Sequence, residues 1–195
     1  TADVIELHVK AHGDTAITLA EIAKLTALSM EEVTEDVKEL ESQGLVHTFA
    51  MRRDTYVWHA DSARAALSAL GDALKKYEEK FPYRYGMKKA EVQMTYFKKM
   101  KPNVFDKVVE LFIEQQNIKR VDEFLSTPDY EVKKDAVFEK VSKIMLDVLA
   151  KANYDFAKYS EIDFKGISRD VTDDILNILM EEDKIVKVTE DMYTL

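Results

Sequence analysis

The densest chemistry-bearing feature of the sequence is cationic. Lys88 and Lys89, Lys98, Lys99 and Lys101, Lys107, and the pair Lys119-Arg120 fall within one short stretch near the middle of the chain. Ammonium and guanidinium groups at that density are suited to neutralising the phosphates of a nucleic-acid backbone. Arg52-Arg53 add two further cations in a polar turn that could reach a phosphate. The competing reading of all ten is a solvated surface that happens to be basic. No other chemistry stands out. There is no G-x-x-x-x-G-K-[ST] or G-x-G-x-x-G stretch to cradle a nucleotide. His8, His12, His47 and His59 lack the spacing of a metal site, and no cysteine is present to ligate, oxidise or attack. The run Glu31, Glu32, Glu35, Asp36, Glu39 and Glu41 contains carboxylates in number. Interleaved with Val33, Val37 and Leu40 at helical spacing, it reads as the wet side of an amphipathic helix and not as an acid/base pair. The expectation is a chain with no catalytic residue, no cofactor and no metal.

The elements that must position these groups come in a repeating order. The first pass begins with a helix carrying Ile5 and Val9, ended by His12-Gly13. Thr18-Leu-Ala-Glu21 and Ser29-Met-Glu-Glu32 each read as a capping box opening a helix. The second of these helices is stopped by Gly44, which can take the left-handed conformation. Leu45–Phe49 and Tyr56–Trp58 then predict a β-hairpin, with Tyr56 and Trp58 packing the wing and not forming a base-stacking platform. The second pass predicts a long helix from Asp61-Ser62 with Leu67, Leu70, Leu74 and Tyr77 on one stripe, stopped at Phe81-Pro82. Gly71 within it is read as allowing close packing. A short helix over Lys88–Tyr96 follows, then one from Pro102 with Phe105, Val108, Leu111 and Phe112 inward. A shortened hairpin, Ile118–Val121 with Phe124-Leu125, and a linker at Ser126-Thr127-Pro128 close the pass. The third predicts a helix with Val137, Val141, Ile144, Val148 and Leu149 inward, and a short helix over Tyr159–Phe164. A helix capped by Ser168 follows, then a hairpin of Ile185–Val188 and Met192–Leu195.

Recurrence at about 65 residues implies small repeated units and not one large domain. The expected fold is mostly α with small β-hairpins (α+β), as three tandem winged-helix (helix-turn-helix) domains over 1–60, 61–128 and 129–195. Charge is divided unevenly among them. Residues 1–61 are net −7, residues 62–128 net +4 and residues 129–195 net −6, within an overall −9. An acidic surface repels polyphosphate, so phosphate contact is expected only in the middle repeat. No apolar run reaches membrane-spanning length, and Asp3, Glu6 and His8 interrupt the first apolar stretch, so neither a membrane span nor a signal peptide is expected. A reducing, cytoplasmic setting fits the absence of cysteine, and a monomer is expected.

The order of these passes resembles the C-terminal winged-helix extension of the bacterial selenocysteine-specific elongation factor family, SelB. Leu19-Ala-Glu-Ile-Ala-Lys-Leu-Thr26 and the run to Gly44-Leu-Val46 resemble the first winged helix of that extension. Phe81-Pro-Tyr-Arg-Tyr-Gly-Met-Lys-Lys-Ala-Glu-Val92 resembles a passage of the second unit, and Lys187-Val-Thr-Glu-Asp-Met-Tyr193 the closing hairpin of the third. The resemblance implies the first three of four winged helices. They would form an arm linking a GTPase and tRNA-binding body to a terminal RNA-binding unit, with the ribosome and the selenocysteine-insertion mRNA hairpin as partners of the whole factor. The basic helix of the fourth unit, with a pattern like T-S-R-K, is absent. Ser168-Arg169 is its nearest echo, and Asp170 stands where lysine would be. The fragment itself is therefore expected to bind RNA weakly or not at all. Two other readings remain open from the residues alone: a DNA-binding transcriptional regulator, or a winged-helix protein-interaction module presenting its acidic helices to basic partners.

Overall fold

The computed structural model describes residues 1–152 and 157–195. Among these residues are eight α-helices and three small antiparallel sheets, a mixed α and β fold of winged-helix type. The chain forms two compact units. One comprises Thr1–Tyr77 with Gly86–Pro128, the other Glu78–Tyr85 with Asp129–Leu195.

In the first unit, α1 (Ala2–Ala11), α2 (Leu19–Thr26) and α3 (Met30–Ser42) enclose Ile22 together with Ile5, Val9, Val33, Val37 and Leu40, the last five at the apolar positions expected from the spacing. Thr18 and Ser29 cap as anticipated, each hydroxyl accepting the amide of the glutamate three residues on, at 3.1 Å. The strands β1 (Ile17–Thr18), β2 (Val46–Ala50) and β3 (Thr55–His59) form a sheet in the order β1-β3-β2. Directly opposed residues of an antiparallel pair share a face. Ile17, Val46 and Val57 therefore turn to the three-helix core, while Phe49, Tyr56 and Trp58 turn the other way.

That second face is not a free wing. Phe49 and Trp58 are buried in a cluster with Leu70 and Leu74 of α4 (Ala60–Lys80), Val92 of α5 (Lys89–Tyr96) and Phe105 and Phe112 of α6 (Pro102–Glu114). The Trp58 ring lies 6.1 Å from Phe112 and 6.4 Å from Phe49, and its indole N–H donates to the Gly13 carbonyl at 2.8 Å. α4 starts at Ala60 directly after β3, slightly earlier than Asp61-Ser62 suggested, and its Ala60 N–H bonds the Leu45 carbonyl at the end of the β2-β3 pairing. The second sheet, β4 (Met87–Lys88), β5 (Lys119–Val121) and β6 (Phe124–Ser126), repeats the order as β4-β6-β5. Gly86 has φ +149°, and a Cβ there would overlap the Leu125 carbonyl, so only glycine lets β4 approach β6. Gly71 differs from expectation. A Cβ on it would meet nothing, so it serves no close packing. Ser126 is buried within β6, which moves the start of the connecting stretch to Thr127.

In the second unit, α7 (Ala136–Ala152) and α8 (Arg169–Glu181) bury Val141, Met145, Leu149, Ile175, Ile178 and Leu179. At the start of α7 the inward residue is Phe138, and Val137 is exposed. Asp135 sets this register by accepting the Phe138 amide at 3.0 Å. The strands β7 (Ala157–Lys158), β8 (Val186–Thr189) and β9 (Met192–Thr194) take the same order again, β7-β9-β8. The helix expected over Tyr159–Phe164 is only a 3-10 turn, Tyr159–Glu161. Ile162 and Phe164 are both buried, and their spacing of two suits an extended segment and not a helix. Residues Glu78–Tyr85 complete this unit. Tyr83 is buried, its hydroxyl donating to Asp135 at 2.9 Å, and Lys133 N–H bonds the Pro82 carbonyl at 2.9 Å.

The third helix of each pass ends in the same way. Leu45, Asn117 and Lys184 N–H reach back to the carbonyls of Leu40, Phe112 and Leu179. Gly44, Gln116 and Asp183, all at positive φ, bond Glu41, Ile113 and Met180. This is the Schellman arrangement, and only the first copy supplies it with glycine.

Candidate nucleic-acid interface

In a winged helix that reads a duplex, the third helix presents its outer side to the groove. None of the three here is cationic on that side. α3 exposes Glu31, Glu32, Glu35, Glu39 and Glu41 beside Lys38. α8 exposes Asp170, Asp173 and Glu181. Even α6 exposes Asp106, Glu110 and Glu114, with Lys107 held 3.5 Å from Glu110.

The basic residues of the middle repeat separate into groups. Lys88 lies on β4 opposite Phe124, and Lys119 shares that sheet face, while Arg120 falls on the other and donates from Nε to the Asp122 carbonyl at 2.7 Å. Lys89 opens α5, is paired with Asp106 and lies 5.9 Å from the Phe105 ring. Lys98, Lys99 and Lys101 lie beyond the far end of α5, a helix of eight residues and so about 12 Å long. These three face the first repeat. Lys99 Nζ is 3.8 Å from Asp14, and Lys101 Nζ stands 6.0 Å from the Tyr56 ring. Tyr56 follows the exposed turn holding Arg52 and Arg53, so the fold brings Lys101 near that turn.

Sequence reasoning missed a cleft within this first unit. It holds about 580 Å³ and is lined by Lys10, Asp14, Tyr96, Lys98 and Lys99 above a floor that includes Trp58 and Phe97. Lys10 lies on the first helix and Tyr96 at the end of α5, and nothing in their local sequence marks them. Lys10 is 3.4 Å from Asp61, and Lys98 forms no ion pair among the described residues. Tyr96 is 43% exposed.

Arg169, the echo of a basic recognition motif, is occupied with its own unit. Its guanidinium donates to the carbonyls of Tyr159, Ser160 and Ile162 at 3.0, 3.2 and 2.6 Å, and lies 4.9 Å from the rings of Tyr159 and Phe164. Burial, together with the hydrogen bond to Asp173, pushes the Tyr159 phenol up to about 12. Arg84 similarly pairs with Asp174 at 3.0 Å. No group of His, Asp and Glu able to hold a metal occurs among the described residues, and no helix among them is long and apolar enough to cross a membrane.

Residues 72–126 match a family model described as "Elongation factor SelB, winged helix". This stretch is a SelB-like winged-helix region. It runs from the middle of α4 through β6, taking in the whole β4-β6-β5 sheet and α5 and α6. No curated protein matches the chain.

Proposed function

We propose that this chain is a non-catalytic arm of a selenocysteine-specific elongation factor of the SelB type, made of three consecutive winged helices at 1–60, 61–128 and 129–195. The arm would link a GTPase and tRNA-binding body to a terminal RNA-binding unit, so that the factor delivers selenocysteine on the ribosome beside the insertion hairpin of the message. The SelB-type match to residues 72–126 carries this reading, because it falls on the middle one of three passes that share a strand order. Electrostatics supports it. Carboxylates on the outer sides of α3, α6 and α8 oppose insertion into a groove, as suits a spacer and not a duplex reader. The same carboxylates disfavour a DNA-binding regulator. Within the arm, the basic residues of the middle repeat and Arg52-Arg53 make transient phosphate contacts. The arm acts as a monomer in the cytoplasm.

The test is affinity of the 195-residue chain for a selenocysteine-insertion hairpin at physiological salt. Negligible binding is expected. Sub-micromolar, sequence-dependent binding would overturn the reading.

A further inference from the structure

We propose that the cleft of the first unit binds one nucleotide of a single-stranded RNA, its base on Tyr96 and its flanking phosphates on Lys98 and Lys99. The proposal rests on the phosphate-contact reading of those two lysines and adds an occupant, a stacking residue and a place. The cleft size is that of a small-ligand site. Asp61 offsets Lys10 and Asp14 offsets Lys99, so the Lys98 ammonium is left over and gives the cleft a positive sign on a chain whose net charge is −9. The one ion pair across its mouth, Lys99 to Asp14, joins side chains that are both mostly exposed, so a phosphate can displace it at little cost. Tyr96 at its edge offers a ring face, the means by which proteins hold unpaired bases without sequence preference. A duplex keeps its bases stacked inside and cannot use that ring, and the acidic outer side of α6 repels a duplex on this same repeat. Asp14 also supplies an acceptor for a 2′-hydroxyl, which favours RNA over DNA.

The experiment titrates the full chain against a fluorescent octamer of uridylate at low salt, with octathymidylate and a duplex RNA as comparison arms. Saturable binding to the RNA octamer is expected, weaker for octathymidylate and weakest for the duplex. Two phosphate contacts to a single strand predict a log–log salt slope of about −1.4. The K98E/K99E double variant should weaken binding at least about tenfold, and Tyr96→Ala between about five- and a hundredfold. All three residues are exposed, so these variants keep the native circular dichroism. K140E/K143E, on α7, should bind as the parent does. No saturable binding to the octamer, equal affinity for the duplex, or indifference to K98E/K99E overturns the cleft proposal. Those results leave the arm reading intact, since that reading falls only on tight hairpin binding.

Discussion

Replacing Trp58 with alanine tests whether the first two repeats share one core. Trp58 is 1% exposed and projects from the first sheet into a cluster drawn from α4, α5 and α6. Removing a buried indole costs about 3–5 kcal/mol through lost transfer free energy and the cavity left behind. The Gly13 carbonyl also loses its donor, which places the loss toward the upper part of that range. Phe112→Ala should cost about as much, since Phe112 is equally buried and 6.1 Å from the indole. In the double variant the two losses should fall short of additivity by about 0.5–1.5 kcal/mol, the coupling of a tilted aromatic pair. Urea unfolding followed by far-ultraviolet circular dichroism measures all three variants. In the parent and Phe112→Ala, the single tryptophan of the chain reports the same junction by its emission. A loss below about 1 kcal/mol for Trp58→Ala, or the emission of a water-exposed indole in the native parent, would refute the shared core.

Two glycines should respond oppositely to alanine. Gly71→Ala, inside α4 with open space at its Cβ, should stabilise by about 0.5–1 kcal/mol, whereas Gly86→Ala should destabilise by at least about 2 kcal/mol because Leu125 occupies the Cβ position; thermal melts of both check the sign. Gln116→Gly should stabilise by up to about 1 kcal/mol in the same assay, the relief of a left-handed non-glycine residue less the extra freedom of glycine when unfolded. Tyr83 is pushed up to about 12 by burial and by its hydrogen bond to Asp135. A raised pKa means the native state holds the proton more tightly, so this stabilisation is complete below about pH 10 and lost as pH rises through about 12. Phenolate absorbance should show a late alkaline step that shrinks in Tyr83→Phe.

The helices were legible because their apolar spacing and caps are local. Val33, Val37 and Leu40, or Ile175, Ile178 and Leu179, lie where a 3.6-residue period puts them. Strands β1, β4 and β7 were not, since two residues carry no alternation. Sheet faces were half legible. Val57 and Trp58 are consecutive and both buried, a pattern that follows only from covering the sheet on both sides. Membership of Glu78–Tyr85 in the unit of residues 129–195 rests on distant partners, Tyr83 on Asp135 and Arg84 on Asp174, which no local pattern announces. The candidate site followed the same division. The lysines were visible as a cluster, but their pairing with Asp14, Asp106 and Glu110 and the arrival of Lys10 beside Lys98 are products of the fold.

Register makes the three sheets comparable, since Val57, Leu125 and Tyr193 occupy equivalent central positions opposite Ile17, Met87 and Ala157. On the first sheet the outer face carries Phe49, Tyr56 and Trp58 and is sealed. On the second, the equivalent face carries Lys88 and Lys119 around Phe124, and on the third β8 leaves Val186 and Val188 exposed. One scaffold thus holds an aromatic joint in its first copy and cations in its second. The joint has a chemical consequence. By sealing the first sheet against the second repeat, it brings Lys10 of one repeat to Lys98 and Lys99 of the next, where Asp61 and Asp14 offset Lys10 and Lys99 and the Lys98 charge is left over. Loosening the joint at Trp58 should therefore weaken any single-strand binding in the cleft even though Trp58 is too buried to touch a phosphate.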